Sequence, residues 1–124
     1  MLTRLPILLI GLLVVSCYQP QRDCAAFKNG HFSFKTILDG EEKTTTFIRN
    51  DSMEIDDFEG KIDTSSVRWL NDCEYVVKKL LPKTKSEEKS IHIKILSTTD
   101  NSYTFEFNVI GDSKKSKGTA IKVN

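Results

Sequence analysis

From His31 onward, apolar and polar residues trade places at nearly every position, the period-two signature of strands that turn one face to a core. Phe32, Phe34 and Leu38 share one face of residues 31–38, with His31, Ser33 and Lys35 on the other. Asp39-Gly40 then turns the chain, as such dipeptides do in hairpins. Residues 44–49, Thr-Thr-Thr-Phe-Ile-Arg, are β-branched and aromatic and end at Asn50-Asp51. Met53 and Ile55 alternate with Glu54 and Asp56 before Glu59-Gly60, and Val67 and Trp69 flank Arg68 before Asn71-Asp72.

Residues 73–81 admit two readings. A strand would group Cys73, Tyr75 and Val77; a helix would group Cys73, Val76, Val77, Leu80 and Leu81. The Tyr-Val-Val run favours the strand, and Pro82 ends either one. After a charged tip at 83–89, Ile91, Ile93 and Ile95 alternate with His92 and Lys94. Tyr103, Phe105, Phe107 and Val109 line one face beyond Asp100-Asn101, and residues 118–124 supply a last strand. The pattern predicts an all-β fold, an antiparallel up-and-down meander of about eight short strands. Such a meander curls strongly or closes into a small lipocalin-like barrel, and closure removes its exposed edges.

The first residues carry an address. Met1 to Arg4 is a short basic start and Leu5 to Val15 is apolar, broken only by Pro6 and Gly11. That run is short for a membrane span and has the length of a secretory signal core. It ends in Leu13-Val14-Val15-Ser16-Cys17, the pattern of a bacterial lipoprotein signal. Residues 1–16 are thus expected to be removed and the Cys17 thiol to carry the lipid. Several acyl chains on one residue hold far more firmly than a single chain. Tyr18 follows, instead of the aspartate that often retains lipoproteins at an inner membrane, so sorting to the outer membrane is expected. Either the periplasmic face or the cell surface fits. Residues 17–26 read as the lipidated N-terminus and a polar tether, and residues 27–124 as one β domain.

Charge and cysteine content narrow the classes. Arg4 is the one charged residue of the signal, so the other basic side chains balance the 17 acidic ones. No general attraction to nucleic acid follows from such a balance. With Cys17 lipidated, two of the three cysteines remain, Cys24 and Cys73. In an oxidising compartment the pair is expected to form a disulfide. A Cys-x-x-Cys redox motif is absent from the sequence.

Several segments together resemble a known family: Gly30-His31-Phe32-Ser33-Phe34, Ile48-Arg49 followed by Glu54, Val67-Arg68-Trp69 leading to Cys73-Glu74-Tyr75, Tyr103-Thr104-Phe105, and residues 118–124. In these the chain resembles small outer-membrane lipoproteins of Bacteroidetes-type bacteria, whose members often carry the label DNA topoisomerase IV. Met53 stands where that family usually has glutamine. The resemblance implies a fold and a place in the envelope and brings no activity with it. A topoisomerase is not expected here, since the chain has no nucleotide loop and no length for a DNA gate.

The remaining candidates weigh against catalysis. The acidic run Asp51, Glu54, Asp56, Asp57, Glu59 and Asp63 lacks calcium-loop spacing and reads as a solvated hairpin. Lys83, Lys85, Lys89, Lys114, Lys115 and Lys117 read as solvated turns, and His31 and His92 fall on the polar face. Glu74 and Glu106 are candidates for cross-strand pairs with Arg49 or Arg68. No metal or cofactor is expected. The leading functional expectation is a lipid-anchored, non-catalytic interaction or envelope-maintenance module, held to the membrane by its lipid and partnered by envelope proteins. The alternative is a lipocalin-like carrier of a small apolar ligand, lined by Phe34, Trp69, Tyr103 and Phe105, although in so small a barrel these rings, with Phe32, Tyr75 and Phe107, are expected to fill the interior. A hydrolase or redox accessory is a third. A cavity inside the barrel would favour the carrier over the module.

Overall fold

The computed structural model describes residues 22–123, so Cys17 and the signal segment lie outside the described residues. Eight antiparallel strands form a closed meander barrel: β1 (Gly30–Leu38), β2 (Glu41–Arg49), β3 (Met53–Phe58), β4 (Lys61–Asn71), β5 (Glu74–Lys79), β6 (Ile91–Thr98), β7 (Ser102–Val109) and β8 (Ser116–Lys122). β1 pairs with β8 through Phe32–Lys122, Ser33–Ile121 and Phe34–Ala120, which closes the sheet on itself. The ambiguous stretch at 73–81 is a strand over Glu74–Lys79. Its partners on both sides are strands, and tertiary pairing therefore settles what the local pattern left open.

The turns fall where the sequence marks them. Asp39-Gly40 and Glu59-Gly60 have positive φ at both positions, 52° and 78°, then 51° and 83°. Two-residue hairpins need this backbone because its twist matches the right-handed twist of the strands. Both turns lie at one end of the barrel, with the long β5–β6 connection.

The other end is stoppered. A 3₁₀ turn, Cys24–Phe27, precedes β1, with Cys24 and Phe27 buried. Phe27 meets the ring of Tyr103 edge-on at 5.3 Å and that of Phe32 at 6.5 Å. The Asp23 amide donates to Thr98 Oγ1 at 2.8 Å, and Lys122 Nζ donates to the Ala26 carbonyl at 2.8 Å. Cys24 is bonded to Cys73, beside the β4–β5 turn. Closing a loop of 49 residues in this way stabilises the fold by about 4 kcal/mol through the unfolded chain. Of the stretch expected as lipidated N-terminus and tether, the part within Cys24–Phe27 is thus built into the folded domain, while residues 17–21 lie outside the described residues. Only four residues form the stopper, too few to show a helical period in the sequence.

Aromatic rings fill the stoppered half. Phe32 stacks on Phe47 with centroids 5.0 Å apart, and Tyr103 stands edge-on to Phe32. Trp69 packs on Tyr75 at 4.5 Å, and its indole N–H is buried with no hydrogen-bond partner among the described residues.

A buried arginine and an acidic, ring-lined cavity

β2 carries Thr45, Phe47 and Arg49 at alternate, inward positions, all buried. Arg49 is therefore delivered to the interior by the same alternation that buries Phe47, and it sits next to the stopper. Its side chain is wholly inaccessible. Nη1 donates to Glu54 Oε1 at 3.2 Å, to Tyr75 Oη at 3.0 Å and to Tyr103 Oη at 3.3 Å. Nη2 donates to the Phe27 carbonyl and to Tyr103 Oη, and Nε donates to the Lys28 carbonyl at 3.4 Å. The rings of Tyr75, Phe32, Phe47, Trp69 and Tyr103 surround the guanidinium, with centroids 4.7–5.7 Å from Cζ. Burial works against its charge, but Tyr75, Tyr103 and Glu54 outweigh this and hold Arg49 charged. Burial likewise keeps the Tyr75 and Tyr103 phenols protonated.

β3 turns the hydrophobic rule inside out. Pairing of Arg49 with Glu54 and of Phe47 with Asp56 points both carboxyls inward. Glu54 is buried and Asp56 half-buried, while Met53 and Ile55 face outward, 36% and 43% exposed. The expectation of a solvated acidic hairpin is thus corrected for Glu54 and Asp56. The physical reason is a counterion: Arg49, fixed inside, would otherwise be a buried charge without a partner, and its cross-strand neighbour Glu54 supplies one. Alternation alone names two faces and does not say which is inside.

Beyond this arginine layer, towards the end with the long connection, lies a cavity of about 190 Å³. Phe34, Phe47, Tyr75, Val77, Ile91, Ile93, Tyr103, Phe105 and Phe107 make its apolar wall, and Thr45, Glu54 and Asp56 its polar one. Three of the expected lining residues, Phe34, Tyr103 and Phe105, are brought together here. Trp69 is not among the lining; it packs instead beside Arg49 and under Lys28, whose Nζ lies 5.0 Å from its ring. A second hollow of about 280 Å³ shares Asp56, Val77 and Ile91 with the cavity and reaches Ser86, Glu87 and Lys89 of the β5–β6 connection. There Lys79 bridges Glu87 at 2.7 Å and Asp63 at 3.5 Å.

Missed by the sequence reading were Arg49, Glu54, Asp56 and Tyr75 as one interior group. The available signal was phase: Arg49 is two residues from Phe47, and Tyr75 two from Val77. The other candidate ion pairs are redistributed. Glu74 meets His92 at 3.2 Å and Glu106 meets Lys115 at 3.4 Å, neither of them an arginine. Lys83, Lys85, Lys89, Lys114, Lys115 and Lys117 are exposed.

Burial and Asp56 push the Glu54 carboxyl up to about 7, with Arg49 pulling the other way. Burial and the cross-strand Asp63 push Asp56 up to about 6.

The fold and site define a class, a small closed meander barrel with a buried arginine beneath a ring-lined cavity. Set against protein-family models, curated proteins and solved structures, the chain finds no match.

Two predictions follow from this charge arrangement. Replacing Arg49 by Met leaves Glu54 buried without its cation, which should cost about 3–5 kcal/mol. The double variant Arg49→Met/Glu54→Gln should recover part of that loss in urea unfolding; equal stability of the two variants would refute the counterion account. Secondly, folding raises both carboxyl pKa values, so the folded chain binds more protons between about pH 4 and pH 7. Stability should therefore decline as pH rises through this window. The thermal midpoint is expected to be higher at pH 5 than at pH 7.5, with a smaller difference in Asp56→Asn. A flat or rising profile in the parent protein would contradict it.

Proposed function

We propose that this protein is a lipid-anchored envelope lipoprotein that binds a small, largely apolar ligand inside its barrel, without catalysis. The observation that carries the reading is the cavity of about 190 Å³ walled by aromatic and aliphatic side chains. Wholly apolar cavities of about 150 Å³ take up benzene, so the size of this one suits a ligand of one ring with a short substituent set against its apolar wall. A non-catalytic interaction module accounts for the barrel equally well, but not for the space inside it. Expectation of export rests on the signal pattern ending at Cys17, and the Cys24–Cys73 disulfide is consistent with an oxidising compartment.

Calorimetric titration of the purified protein with toluene tests the pocket. Saturable binding is expected in the parent and its loss in Ile91→Phe, which fills the space between cavity and outer hollow. Absence of binding in both would leave the interaction module as the better reading. Cells fed an alkyne-tagged fatty acid should label the parent protein and not Cys17→Ala; an unlabelled parent would remove the lipid anchor from the proposal.

A further inference from the structure

The cavity is not simply greasy. Its polar wall is acidic, and more acidic than its cations can balance. Glu54 accepts from Arg49 through Oε1; its Oε2 takes no hydrogen bond among the described residues and stays open to solvent at the cavity, although most of the side chain is buried. Asp56, one inward step further along β3, has no hydrogen bond or ion pair to its side chain among the described residues. The neighbouring cations are already engaged. Arg49 is committed to Glu54, two tyrosine hydroxyls and two backbone carbonyls. Lys79 is shared between Asp63 and Glu87. Asp63, moreover, lies directly across from Asp56 on β4. The walls opposite are hydrocarbon: Phe34 on β1, Phe105 and Phe107 on β7, and Ile91 and Ile93 on β6.

We infer that the barrel selects an apolar primary amine, an arylalkylamine of about one ring, with its ring among Phe34, Phe105 and Phe107 and its ammonium at Asp56 and the free oxygen of Glu54. This rests on the ligand-binding reading above and adds the chemical class of the ligand. An ammonium supplies the hydrogen-bond donors and the positive charge that this wall lacks. Carboxylates removed from water are costly unless paired, and charge-assisted hydrogen bonds to them are stronger than neutral ones. A metal ion is the poorer occupant, since among the described residues no three His, Cys, Asp or Glu side chains converge on one point, whereas hard cations take six or more oxygens. Nor would a metal ion use the ring-lined wall. An anion of the same size would meet unscreened like charge.

The raised proton affinity of both carboxyls has the same origin as the proposed selectivity, namely a shortage of positive charge at this wall. The groups facing Asp56 are Glu54 on its own strand, Arg49 on β2, Asp63 on β4, Lys79 on β5 and Glu87 from the β5–β6 connection.

The test uses the full chain purified in detergent, with equilibrium dialysis against protein-free micelles as the blank. The probes are phenethylamine, the neutral phenethyl alcohol and the anionic 3-phenylpropanoate, at pH 7.5. Phenethylamine is expected to bind about tenfold more tightly than the alcohol, and the anion more weakly than either. Asp56→Asn should bring amine and alcohol to within about twofold of each other. Asp57→Asn, the same charge change on the outer face of β3, should keep the tenfold preference. Circular dichroism and the disulfide-intact mass check that each variant is folded. Equal binding of amine and alcohol by the parent overturns the amine inference while leaving the pocket in place. A preference that survives Asp56→Asn overturns it too. Failure of all three probes in the parent overturns the ligand-binding reading itself, and should Asp56→Asn not fold, the parent's ranking of the three probes decides alone.

Discussion

A single guanidinium organises the interior of this barrel. Arg49 is inaccessible to solvent and sees at once the stopper, through the carbonyls of Phe27 and Lys28, the sheet, through Tyr75 and Tyr103, and the acidic strand, through Glu54. An apolar residue at this position would fill the space and leave those partners without their donor. The five surrounding rings contribute cation–π attraction, worth more where water is excluded. Buried ion pairs seldom add much net stability over a well-packed apolar substitute. The contribution of Arg49 is then positional: it fixes which face of β3 looks inward and ties the 3₁₀ turn to the barrel.

That division gives the molecule two unlike halves. Near the stopper, rings and the arginine leave little space; towards the long connection, the carboxyls of β3 stand beside a cavity. The boundary is one residue layer thick, since Phe47, Tyr75 and Tyr103 touch both the arginine and the cavity. A change in what fills the cavity is thus felt by the residues that hold Arg49, with no moving part in between.

Most of the barrel was legible in the sequence because its information is local. Asp39-Gly40 and Glu59-Gly60 specify their hairpins by backbone conformation, and Tyr103, Phe105 and Phe107 show their common face by spacing. Two features were not. The inward face of β3 depends on a residue of another strand, and hydropathy read within β3 alone picks the wrong side: Met53 and Ile55 are the exposed ones. The stopper has four residues and no period, so nothing in its local pattern sets it apart from a tether. Cys24 was the one clue, because a disulfide to Cys73 requires residue 24 to reach the domain. For the site, Phe34, Tyr103 and Phe105 were expected in the lining and are there, whereas Trp69 shares their face but lies on the stoppered side of the arginine layer.

The covalent link has a mechanical meaning. Any pull on the chain ahead of Arg22 reaches the folded domain two residues before Cys24. The load passes through the sulfur bridge to Cys73 and so into the hydrogen-bonded ladders of β4 and β5. It does not have to be borne by the hydrogen bonds of the short 3₁₀ turn, which on their own would peel away in sequence. A barrel tugged by its N-terminus can therefore keep its closed end shut, and the cavity behind it intact, for as long as the bridge stays oxidised.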